Sequence, residues 1–140
     1  MENNTLLVFF IGILVIGALL VVVIMLTKKG AVQLDVNKYR SKWMGIETQL
    51  DKNDLSRCSM AVLNADKLLD QAMREKGVKG QTMGERMKTL KETWSNANAV
   101  WGAHRLRNQI AHETDHRVTY DDARRALSGF KQALKDVGAI

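Results

Sequence analysis

The stretch Arg107-Asn-Gln-Ile-Ala-His112 holds a permanent cation, a carboxamide and an imidazole within two helical turns. Those groups suit a phosphodiester. A guanidinium offers phosphate a planar fork of donors whose charge does not titrate away. An imidazole exchanges protons near neutral pH and serves as acid or base on a hydroxyl or leaving oxygen. Five residues at about 100° each place Arg107 and His112 roughly 140° apart on an ideal helix. Trp101, Arg105, Asn108 and His112 instead share one stripe, at spacings of four, three and four. A site on this helix therefore needs a frayed end that lets Arg107 reach around, or a second subunit that supplies the missing half.

The same residues begin a competing motif. His112-Glu-Thr-Asp-His116 spells HExxH, which on a helix would offer zinc two imidazoles and a carboxylate base. Asp115 and Arg117 bring charge where such helices are usually uncharged, and the loop-like run from Arg117 to Thr119 ends the helix inside the motif. Thr119 stands where the extended metalloprotease pattern requires glycine. No metal and no cofactor are expected.

The elements that must carry these residues are helical. Val36, Tyr39, Trp43, Ile46 and Leu50 recur at spacings of three and four, as do Leu55, Cys58, Val62, Ala65, Leu69 and Ala72. The second of these helices opens near Asn53 or Asp54. Gly77-Val-Lys-Gly80 breaks the pattern and reads as a loop. Thr82-Met-Gly-Glu85 is a capping-box signature for a third helix carrying Met83, Met87, Leu90 and Trp94. A fourth runs from about Ala99 to about His112 with Val100, Ala103, Leu106 and Ile110 inward. Thr119-Tyr-Asp-Asp122 opens a fifth, with Tyr120, Ala123, Leu127, Phe130, Leu134 and Val137 on one face. No segment alternates with period two. The fold class is all-α, an N-terminal transmembrane helix followed by a four- to five-helix antiparallel bundle.

This helix order, with Arg-Asn-x-x-x-His closing the penultimate helix, resembles the HEPN superfamily (higher eukaryotes and prokaryotes nucleotide-binding domain). Its motif is an arginine followed four to six residues later by a histidine. Arg107-Asn108 with His112 matches the commonest form, and Arg105 with His112 fits the looser spacing. The likeness covers nearly all of residues 36–140 in helix order, but only the motif is specific. The resemblance implies metal-independent RNA cleavage at a site completed across a homodimer. His112 would exchange a proton with the 2′-hydroxyl or leaving oxygen, and Arg107 would stabilise the phosphate. Asn108, Arg105 and Trp101 would bind substrate. A toxin branch carries tyrosine two residues after the histidine; Thr114 stands there, so that branch is disfavoured. Other members use the fold without cleavage. The alternative is thus a catalytically silent, membrane-tethered dimerisation module.

Residues 6–26 form an uninterrupted apolar run of about 30 Å as a helix, the thickness of a hydrocarbon core. A cleaved signal peptide would want a basic start and a shorter run; here the start is Met-Glu-Asn-Asn. Lys28-Lys29 follows the run and assigns the C-terminal side to the cytoplasm. The expected organisation is an anchor at 1–27, a short linker at 28–35 and a cytoplasmic HEPN-like domain at 36–140, in a single-pass inner-membrane protein. Residues 31–140 hold 19 basic and 14 acidic residues, a net +5 that suits nucleic acid or anionic lipid without deciding between them. Arg124, Lys131 and Lys135 line one side of the last helix. The single cysteine, Cys58, sits at an apolar helical position and reads as a buried thiol.

Overall fold

The computed structural model describes residues 2–27, 32–113 and 117–140. Among the described residues there is no strand. The helices are α1 (Glu2–Thr27), α2 (Val36–Glu47), α3 (Leu55–Glu75), α4 (Met83–Thr89), α5 (Ala97–His112) and α6 (Tyr120–Asp136). The basic pair Lys28-Lys29, on which the expected orientation rests, lies outside the described residues.

The chain divides into two compact units, residues 1–32 and 33–140. The first is α1. Its segment Asn4–Met25 is long and apolar enough to cross a membrane, and none of it is buried against protein. A run this apolar is poorly suited to water along its whole circumference.

The second unit is built by helices whose starts are fixed locally. Asp35, Asp54, Thr82, Asn96 and Thr119 each accept a hydrogen bond from the first turn that follows. Caps of this kind contribute roughly 1 kcal/mol each. Thr119 makes the full reciprocal box with Asp122. Around Thr82 the box is displaced by one residue, because the Glu85 carboxylate accepts from Gln81 N. The ends of α3 and α6 share another device. Gly77 and Gly138 take φ of 78° and 76°, and the next amides, of Val78 and Ala139, return to the carbonyls of Met73 and Leu134. Glycine adopts that left-handed turn without a steric penalty.

The order of the helices gives an up-down-up-down bundle of α2, α3, α5 and α6. Lys38 and Lys42 of α2 reach Glu75 and Gln71 near the end of α3, so these two helices are antiparallel. Ala99 of α5 lies under Gly129 of α6, and Ser95 bonds to Asp136, so this pair is antiparallel too. Tyr39, Val62, Leu69, Met73, Met87, Phe130 and Leu134 are fully buried between them. Gly129 is required at the α5–α6 crossing, where a Cβ would stand 2.7 Å from the Ala99 carbonyl oxygen.

Two expectations change. The third helix stops at Thr89, well before Trp94, because Leu90 leaves helical geometry at φ −95°, ψ 19°. Trp94 is buried nonetheless, folding back to donate its indole N–H to Met87 O at 3.0 Å. Leu55, expected on an inward face, is the first residue of α3 and is 44% exposed. Cys58 is buried, with its Sγ 3.2 Å from Asp51 O.

Candidate functional site

α5 carries Trp101, Arg105, Arg107, Asn108 and His112, and the structure divides them between two environments. Arg107 turns toward α3, where its Nε lies 3.1 Å from Asp66 Oδ2. Its Nη1 donates to Asn108 Oδ1 at 3.0 Å. Trp101 and Asn108 are half-buried, and Arg105 and His112 are exposed. His112 occupies the last turn of α5. Of the stripe Trp101, Arg105, Asn108 and His112, only Arg105 and His112 are therefore turned fully to solvent.

Two residues complete the arrangement that motif reading did not supply. Asp66 is only 3% exposed, yet it is a carboxylate on the apolar face of α3. It accepts from two groups on α5: Arg107 on one oxygen, and His104 on the other, with His104 Nδ1 2.7 Å from Asp66 Oδ1. A carboxylate only accepts, so Nδ1 is the donor in this contact. Trp101 packs its ring edge-to-face with His104, centroids 6.3 Å apart. Asp66 thus holds a cation and an imidazole in register on adjacent turns of α5.

Asp66, His104, Arg107 and Asn108 line one wall of an open polar groove of about 620 Å³ between α3, α5 and the start of α4. Arg86 forms part of its floor. It is 4% exposed, and its guanidinium is satisfied by Asp70, with Nε–Oδ1 at 2.9 Å, and by Gly80 O at 2.7 Å. Asp70 also takes Arg74 at 2.8 Å. Lys67, Arg74, Arg86 and Arg107 stand against Asp66 and Asp70 in this groove, leaving an excess of positive charge. His112 and Arg105 are not among the lining residues.

The remaining sequence motif resolves at its start. α5 ends at His112, and Glu113 is an extended cap with φ −106°, ψ 113°, so the helix stops before the second half of HExxH. Thr114, Asp115 and His116 lie outside the described residues. Among the described residues no group of three or more His, Cys, Asp or Glu is placed to hold a metal ion.

A signal for the missed pair was present. Val62, Asp66, Leu69 and Met73 follow the spacing of four, three and four that marks a buried stripe, and one member is an acid. An acid in such a place needs a cation from elsewhere, and Arg107, with His104 one turn before it, is spaced to meet it.

No family model, no curated protein and no solved structure matches this chain.

Proposed function

We propose that the protein is a single-pass inner-membrane protein whose helical unit faces the cytoplasm and binds RNA in the manner of a HEPN domain. Two copies together form a metal-independent endoribonuclease site. The observation that carries this reading is the division of the motif on α5: Arg107 is drawn into a positively charged groove by Asp66, while His112 stands exposed on the last turn. One copy offers a phosphate-binding wall and, separately, an accessible imidazole. A symmetric pair related by a two-fold axis near the ends of the α5 helices would bring the imidazole of one to the groove of the other.

In that arrangement His112 takes the proton from the 2′-hydroxyl, whose oxygen attacks phosphorus. The bond to the 5′-oxygen breaks, and the departing oxygen is protonated by a second acid or by water. The products are a 2′,3′-cyclic phosphate and a free 5′-hydroxyl. Arg107 contributes charge to the phosphate through Nη2, since Nε and Nη1 already serve Asp66 and Asn108.

Incubating the purified full chain in detergent with single-stranded RNA and excess chelator tests this. Cleavage leaving cyclic phosphate ends is expected, with loss on His112→Ala and no change in thermal unfolding. Undiminished cutting by His112→Ala would remove the assignment. A second reading is favoured by the engagement of Arg107 with Asp66, which also serves as a tie between helices: a dimerisation module without chemistry. A stable dimer of the full chain that neither binds nor cuts RNA would establish it.

A further inference from the structure

The edge of the bundle opposite the polar groove carries a different surface. α2 and α6 enclose an apolar groove of about 560 Å³, with Trp43, Met44 and Ile140 along it and Arg40, Lys131 and Lys135 on its rims. Met44 is 60% exposed, although the neighbouring Trp43 is almost wholly buried. Glu47 is the one acid among the lining residues and is taken up by Lys131, whose Nζ lies 2.6 Å from its Oε1 and 6.0 Å from the Trp43 ring centroid. Arg40 and Lys135 are exposed. An exposed thioether ringed by cations is poorly suited to water, but it matches a surface that is apolar below and anionic above.

Connectivity says which surface is near. Lys76 Nζ donates to Val137 O, and Lys38 reaches Glu75, so the start of α2, the end of α3 and the end of α6 meet at one end of the bundle. Arg40, Lys135 and Ile140 belong to that end. The start of α2 is joined to α1 by residues 28–35, which reach at most about 28 Å when fully extended. If α1 is anchored, this end of the bundle cannot leave the headgroup region by more than that.

We propose that the α2–α6 face docks on anionic phospholipid headgroups of the membrane that holds α1, with Met44 entering the headgroup–acyl boundary and Arg40, Lys131 and Lys135 meeting phosphates. This rests on reading α1 as an anchor but not on any activity toward RNA. It also sets the orientation of the polar groove. On α3, Gln71 and Glu75 face α2, and they lie about 140° and 180° around the helix from Asp66. A bundle seated on its α2–α6 edge therefore turns the Asp66–His104–Arg107 groove away from lipid and toward solvent.

The test uses the full chain reconstituted into phosphatidylcholine vesicles with and without phosphatidylglycerol. Met44→Cys, in a Cys58→Ala background, carries an environment-sensitive fluorophore; Asn98→Cys on α5 carries the same label as a control. With phosphatidylglycerol, the label at 44 should shift to the blue and lose at least about threefold of its quenching by aqueous iodide, while the label at 98 stays accessible. Arg40→Gln with Lys135→Gln removes two cations that make no structural hydrogen bond, and it should restore quenching at 44. Equal quenching at 44 in both lipids overturns the proposal. Protection at 44 in both lipids that grows with protein density also overturns it, and would assign the face to a second copy of the chain. Failure of the chain to float with the vesicles removes the anchor and the docking face together, which separates that outcome from a merely undocked domain.

Discussion

Asp66 is the residue on which the candidate site depends. Its carboxylate is almost fully buried and serves two donors on a neighbouring helix, so removing it strands an imidazole and draws the tether from a guanidinium. Breaking one side of a buried charge network costs more than its net contribution, because the partner stays behind without compensation. Asp66→Ala should therefore lower unfolding stability by about 3 kcal/mol in urea titrations. His104→Ala should cost less, about 1–2 kcal/mol, since the Arg107 contact survives. If Asp66→Ala unfolds like the wild-type chain, the pair is not what holds α5 in register. This network was only half legible in the sequence. The Arg…His motif is contiguous and names its own residues, whereas Asp66 and His104 are 38 positions apart. Nothing in local spacing states which side chains meet across a bundle; only the misplaced acid in an apolar stripe hints at it.

At the scale of the elements, the crossing of α5 and α6 decides where the α5 groups stand. Gly129→Ala would press a methyl against the Ala99 carbonyl, which is backbone and cannot rotate aside. A cost of about 2 kcal/mol is expected, with changed amide shifts along α5 in NMR spectra. Wild-type stability with unperturbed α5 shifts would mean that the crossing has slack. The α2–α6 contact is weaker and titrates. Burial pushes the Glu47 carboxyl up, but hydrogen bonds, that of Lys131 first among them, and the Lys131 charge outweigh it and leave the group below its ordinary value. A carboxyl lowered in the folded state adds stability above its unfolded value and loses it as pH falls through the folded one. Both partners are about two-fifths exposed, so Lys131→Met should cost only about 0.5 kcal/mol at neutral pH. The difference should vanish once the pH has fallen through the lowered folded value and Glu47 is protonated in both states. A pH-independent difference would assign the effect to packing on Trp43. Helix starts were readable because Asp54, Thr82 and Thr119 signal through local hydrogen bonds. The early end of α4 was not, because no breaker residue marks Leu90, where the backbone leaves helical geometry.

For the whole molecule, the proposed arrangement has α1 as an anchor in the bilayer and the helical unit on the cytoplasmic side; it rests on the apolar segment Asn4–Met25 and, in the sequence, on Lys28-Lys29. In intact cells, protease added outside should leave residues 33–140 undigested, and the chain should stay with membranes after a carbonate wash. Digestion from outside would reject the location and, with it, access to cytoplasmic RNA. The central claim, a metal-free RNA-cleaving site shared between two copies, has a more direct test. Arg107→Ala and His112→Ala chains, each inactive alone, are mixed in detergent, allowed to exchange subunits, and supplied with RNA and chelator. If each site takes its arginine from one copy and its histidine from the other, half the dimers are mixed and each contains one intact site. About a quarter of wild-type cleavage should then return. If mixing restores nothing although exchange is demonstrated, the two residues do not act across a dimer, and the account of the site is wrong.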